Sequence, residues 1–386
     1  MKPLNGASVV VWAGGLLVSG ALTGCGSADL GTTEAGDIGS TSAPVVVTNC
    51  TGAAISAAIA AGGNVDLNCG SSPITIAMPP TTVTMTTRVR PVSSGPITFT
   101  HMGPLFSVRN NASFELDNIN LAGSGSMAIH CLSASATVSG VTATGYLSFV
   151  LTGHVGSRLT VINSTFSQNG SASMTFGAPI YGEGSSVDVR GSTFFGNQGV
   201  SGAAITAFGG TLSVADSTFY FNMSSSGAIY ARSNSPSITN STFWRNTASS
   251  QVGAVNAPTS TTIRNCTFAD NGAPLGSLAA GMQSFNSILL DTLSPPTATC
   301  QLAGTGNIEW PPTLRNCGVG FRYGDPNLGM LASNGGPTQT MALQPASAAI
   351  DSAVSPCPTF DQRGVFRPRD GDANGFAVCD VGAFER

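Results

Sequence analysis

The sequence predicts an all-β solenoid, a right-handed parallel β-helix with a short N-terminal capping helix and an irregular C-terminal cap. Three observations predict it. Five segments of the form STFxxN, or close variants, recur in the middle of the chain. The residues upstream of each alternate apolar and polar. Charged residues make up only 9% of the 386 residues, where a soluble domain typically has about 25%.

Residues 1–24 form a targeting segment. Lys2 is followed by the small, apolar run Val9 to Leu22, too short and too glycine-rich to cross a bilayer. Leu22-Thr23-Gly24-Cys25 closes the run and resembles a bacterial lipobox. That resemblance implies cleavage before Cys25, acylation of its sulfur and new amino terminus, and a firm membrane anchor. Gly26 rather than Asp follows the cysteine, which fits an outer-membrane or cell-surface location. Residues 25–44 are Gly/Ser/Thr-rich and read as a flexible tether.

Residues 45–324 are assigned to the solenoid and its N-terminal cap. Thr51 to Ala61 is alanine-rich, begins at an N-capping threonine and ends at Gly62-Gly63, the pattern of a short helix. The repeat follows. Phe166, Phe194, Phe219, Phe243 and Phe268 succeed one another in steps of 28, 25, 24 and 25 along the chain. Val161, Val189, Val214, Ile238 and Ile263 each lie two positions before the Asn, Asp or Gly that opens the motif, and Leu159, Val187 and Leu212 lie four before it. Period-2 alternation means strand. A unit of about 24 residues cannot bury its apolar face alone, so the units must stack. Ten to twelve coils are expected, with the phenylalanines piled inside. The opening column (Asn163, Gly191, Asp216, Asn240, Asn265) suits a turn, because these residues tolerate positive φ. Its asparagines are read as turn chemistry rather than as a ligand ladder.

Residues 325–386 leave the repeat. In order they carry Asp325-Pro326-Asn327-Leu328-Gly329, Asn334-Gly335-Gly336-Pro337-Thr338, Ala349-Ile350-Asp351, Asp361-Gln362-Arg363-Gly364, Arg367-Pro368 and Asp380-Val381-Gly382-Ala383-Phe384-Glu385. This string resembles the choice-of-anchor Q family of bacterial surface β-helix proteins, and the STFxxN coils are similar to those of polymorphic outer-membrane proteins. The resemblance implies fold and surface location. It supplies no reaction.

Nine cysteines less Cys25 leave eight, and an exported context favours disulfides. Local spacing pairs Cys50 with Cys69, Cys300 with Cys317 and Cys357 with Cys379. Cys131 and Cys266 are about five coils, some 24 Å, apart, so they are not expected to pair with each other, and Cys266, at the position held by Ser in other coils, is read as a buried free thiol. Asp370, Asp372 and Asn374 lie in DGDANG, which matches the first half of a calcium loop. The bidentate Glu that such a loop needs is replaced by Val381, so a polar turn is favoured over a weak calcium site. No other cofactor is implied.

A net charge of −4 argues against nucleic-acid binding. With Glu183, Asp188, Asp216 and Asp270 dispersed, Arg190 and Arg264 isolated and the three histidines (101, 130, 154) scattered, no catalytic constellation is visible. The expected function is a structural or adhesin-like binding module for glycan or protein, attached to the membrane through its lipid. The alternative is a polysaccharide lyase or hydrolase on the same scaffold.

Overall fold

The computed structural model describes residues 43–125, 127–171, 177–291, 301–312, 317, 320–354 and 356–386. The targeting segment, Cys25 and nearly all of the tether lie outside the described residues, as does Cys300.

The described chain is a parallel β-solenoid of about ten turns, consistent with the right-handed parallel β-helix. Each coil presents up to three short strands, so the stack has three faces. The first face runs through Thr81–Val83, Phe106–Val108, Ile129–Cys131, Leu151–Gly153 and Ile180–Glu183. The second runs through Gly63–Leu67, Thr87–Pro91, Ser113–Asp117, Ser135–Ser139, Arg158–Ile162 and Ser186–Arg190. Two 11-residue strands, Ile205–Ala215 and Ile229–Thr239, pass through the corner between these faces and join them into one 17-stranded sheet. The third face is a separate 12-stranded sheet from Ile74–Ala77 to Phe321–Tyr323. Among the strand pairs of the described residues, only Leu328–Ala332 with Thr340–Leu343 is antiparallel.

The N-terminal helix spans Gly52–Ala61. The Thr51 hydroxyl accepts from the Ala54 amide, and Gly62 ends the helix at φ 80°. Ile55 and Ile59 are buried against the first coils. Cys50 and Cys69, which bracket the helix, lie 5.7 Å apart at Cα and are bonded.

The serine, phenylalanine and asparagine of the STFxxN motif each have a structural explanation. The five phenylalanines are in register and fully buried. Their rings stack with centroids 5.0, 4.9, 4.7 and 4.9 Å apart, because each side chain repeats at the strand spacing. The serine amides of Ser164, Ser192 and Ser217 donate to the serine hydroxyl of the following coil at 3.1 to 3.2 Å. The final asparagines (Asn169, Asn197, Asn222, Asn246, Asn271) are fully buried. For the first four, the backbone N–H donates to the next asparagine's Oδ1 at 3.0 to 3.2 Å. From Asn197 onward, Nδ2 reaches back to Phe166, Phe194, Phe219 and Phe243 carbonyls at 2.9 to 3.0 Å. Each central asparagine thus ties together successive coils and leaves no buried amide wanting.

The opening column behaves as the composition predicts. Asn163, Gly191, Asp216, Asn240 and Asn265 have φ between 45° and 56°, the region in which Gly, Asn and Asp cost least. Ahead of the repeat, Asn118 and Gly140 adopt the same conformation, and Asn286 adopts it after.

The C-terminal segment predicted as a cap is an irregular layer that extends along the flank of the coils. Thr338 donates its hydroxyl to the Asp216 carbonyl at 3.0 Å. Gln362 accepts from Thr242 at 2.6 Å and donates to Thr218 at 2.8 Å. The Ala383 amide donates to Thr267 at 3.1 Å, and Asn286 exchanges two bonds with Val354. The threonines of the repeat are therefore the docking points for the motifs that follow it.

Candidate functional site

The residues named from sequence separate into three places. The first is the C-terminal layer, where the ordered motifs meet. Arg367 and Glu385 form a fully buried ion pair at 2.8 Å. Arg363 pairs with Asp361 at 2.7 Å and lies over the Phe384 ring. Asp380 accepts from the Asp351 and Arg386 amides at 2.7 and 2.6 Å. Gly336 is needed because a Cβ there would lie 2.6 Å from the Arg363 Cα, and its φ is 78°. These residues hold the layer together, and that is their role on this geometry. Burial pushes the Asp380 carboxyl up to about 7 and Asp216 up to about 6.

The second place is the DGDANG loop. Asp370, Asp372 and the more distant Asp351 bring three carboxylate oxygens within 4.8 Å of one another. Asn374, the other predicted ligand, donates to Asp370 and Asp372 instead and accepts from Phe376. Asp351 accepts from the Gly371, Asp372 and Val378 amides, and Asp370 also accepts from Gly375. The loop is closed by its own hydrogen bonds. Val381 at the bidentate position is buried, and Asp380 is turned into the layer. Millimolar calcium is expected to leave the melting temperature unchanged in a thermal-shift titration. Stabilisation by several degrees would establish an ion in this loop.

The cysteines complete this group. Cys357 and Cys379 are bonded with Cα atoms 6.6 Å apart. Cys131 and Cys266 are free and buried. The third predicted pair, Cys300 with Cys317, involves a residue outside those described.

The third place is the outer surface of the first face, where two of the three histidines, His130 and His154, come together although their sequence positions are scattered. His130 and His154 sit one coil apart, and their rings approach to 5.1 Å. His154 Nδ1 lies 3.1 Å from Glu183 Oε2, and the Tyr181 hydroxyl is bonded to the same carboxylate. The strand register sets two further columns. Tyr181, Thr206 and Tyr230 form one. Glu183, Phe208 and Arg232 form the other. Together with Phe149 they make an aromatic ladder. Centroids are 4.9 Å apart for Phe149 and Tyr181, 6.1 Å for Tyr181 and Phe208, and 5.7 Å for Phe208 and Tyr230. All four rings are half-buried. Arg232 closes one end, 5.1 Å above the Tyr230 ring. At the other end Ser107, Arg109 and His130 line a hollow of about 240 Å³.

The same spacing would have revealed this ladder. Steps of 25 and then 24 along the chain relate Tyr181 to Thr206 to Tyr230 and Glu183 to Phe208 to Arg232. The same two steps relate Phe194 to Phe219 to Phe243. The ladder carries no STF-like signature because outward residues need not repeat to stack.

Among the described residues, the other polar groupings do not make a comparable site. Arg88 bridges Glu115 and Asp117 at 3.6 and 2.7 Å on the second face, and Arg190 pairs with Asp188 at 3.0 Å. Arg264 lies over the Phe285 ring. A larger hollow of about 720 Å³ is lined by Ala77, Met78, Met102, Pro104 and Ala122. Beside it, His101 Nε2 meets the buried Tyr146 hydroxyl at 2.7 Å and Nδ1 meets the Gly103 carbonyl, so its polar groups are already partnered.

No family model matches this chain, and no curated protein matches it.

Proposed function

We propose that this chain is an exported, lipid-anchored bacterial surface protein whose solenoid binds a glycan along its first face. The observation that carries the binding reading is the aromatic ladder from Phe149 to Tyr230, set among hydrogen-bonding and charged groups at both ends. Pyranose rings present C–H faces that pack on aromatic rings and hydroxyl edges that bond polar side chains. A half-buried, rigid ladder offers both at small entropic cost. The strands hold the rings in place, so the surface is already formed before a ligand arrives. The lipobox-like Leu22-Thr23-Gly24-Cys25 and the bonded cysteine pairs support export and anchoring.

The enzyme alternative has less support. Hydrolysis uses two carboxylates about 5 to 9.5 Å apart. Glu183 is the only carboxylate in the two columns of this face among the described residues. Tyr181→Ala and Phe208→Ala are each expected to weaken binding to the best glycan on an array by about tenfold, the loss of one to two kcal/mol of ring contact. Undiminished binding in both variants would remove the face from consideration. Unsaturated or newly reducing chain ends after incubation would replace binding by catalysis.

A further inference from the structure

We propose that the glycan taken by the first face is anionic, a chain of pyranose rings bearing carboxylates, and that its binding strengthens as the solution becomes acidic. This rests on the first face being the glycan site. The argument is the charge of the face. Arg109 and Arg232 stand at its two ends, with His130 and His154 between them. The opposing carboxylate is Glu183, already engaged by His154 and Tyr181. The remaining positions in register, Thr82, Ser107, Thr152, Thr206 and Asn256, carry no charge. Among the described residues the face sets two arginines against one carboxylate, and protonation of His130 beside Arg109 adds to that positive excess. The whole chain is net negative at −4, so this surface is of opposite sign to the molecule that carries it.

The hollow at the Arg109 end is where a carboxylate fits first. Arg109 Nε donates to the Ser107 hydroxyl at 2.8 Å, and both residues line the hollow with His130. Burial, then His154 and Arg109, hold the His130 imidazolium below its ordinary range. An anion in the hollow offsets that burial and repulsion, so ligand binding and proton uptake favour one another.

The test uses a uronic-acid oligosaccharide and its carboxyl-reduced, neutral counterpart, titrated calorimetrically into the protein at about pH 5 and about pH 7.5. The acid form is expected to bind about tenfold tighter at the lower pH, because the bound carboxylate and the His130 proton favour one another. The neutral chain is expected to bind more weakly and without pH dependence. Arg109→Gln, an exposed position, should weaken the acid form alone. His130→Gln should flatten its pH profile, with near-UV circular dichroism confirming the fold. Equal binding of the two chains, both weakened by Tyr181→Ala, would overturn the anionic assignment and leave the glycan reading standing. Binding of neither chain would overturn the anionic assignment, and a blank array would overturn the glycan reading itself.

Discussion

Arg367→Ala is expected to destabilise the C-terminal layer by about 3 to 5 kcal/mol, the cost of stranding one partner of a buried ion pair. Arg367 and Glu385 are both fully enclosed. Nη1 also donates to the Asp380 carbonyl at 2.8 Å and Nη2 to the Gly382 carbonyl at 2.7 Å. Glu385 in turn accepts from the Arg369 and Asp380 amides at 2.7 and 2.9 Å. The substitution therefore leaves the buried Glu385 charge without its counter-ion and takes a donor from each of two carbonyls, Asp380 and Gly382. Urea unfolding followed by protease sensitivity of residues 325–386 measures it. A change under about 1 kcal/mol would show that the layer is held by other contacts. Arg367→Met with Glu385→Leu should cost less than Arg367→Ala, because no charge remains.

Two buried carboxyls, Asp380 in this layer and Asp216 in a coil that the layer covers, make stability depend on pH in a definite direction. Asp380 and Asp216 hold their protons to about 7 and about 6 in the folded chain, against about 4 when unfolded. Between these limits the folded state binds more protons, so their contribution favours folding near pH 4 and is lost as the pH rises toward 7. Asp380→Asn should flatten this part of the profile. A wild-type curve that rises over the same window would refute the assignment.

Phe219→Ala is the second large effect, about 3 to 5 kcal/mol. The ring is packed between Phe194 at 4.9 Å and Phe243 at 4.7 Å. Its removal opens a cavity that rigid neighbouring strands cannot close. Because a solenoid couples each coil only to its neighbours, the loss falls at the centre of the array. Phe219→Leu should recover most of the stability. A loss below about 1 kcal/mol for the alanine variant would mean that the coils relax into the gap.

The legible parts of the sequence were those where packing forces identity to repeat. The stacked phenylalanines must be alike, the opening turn must tolerate positive φ, and the buried asparagines must all reach the same carbonyls. Each demand wrote itself into the chain once per coil. The first face escaped because its outward side chains are free to differ, so His130, His154 and Glu183 look unrelated until the coil period is applied to them. The position of the C-terminal layer was hidden for another reason. Its contacts with Thr218, Thr242 and Thr267 join segments far apart in the chain, and nothing local in either partner announces them.

Cys266 stands where other coils carry serine. Its amide keeps the pattern, donating to the Ser287 hydroxyl at 3.2 Å, and its sulfur faces the Arg264 carbonyl at 3.3 Å. Burial pushes this thiol and that of Cys131 up to about 12, so neither reacts while its coil is closed. Among the described residues the protein thus carries two silent alkylation reporters at different heights of one stack. The order in which they label under mild denaturant reads out whether the solenoid unzips from one end or opens as a whole.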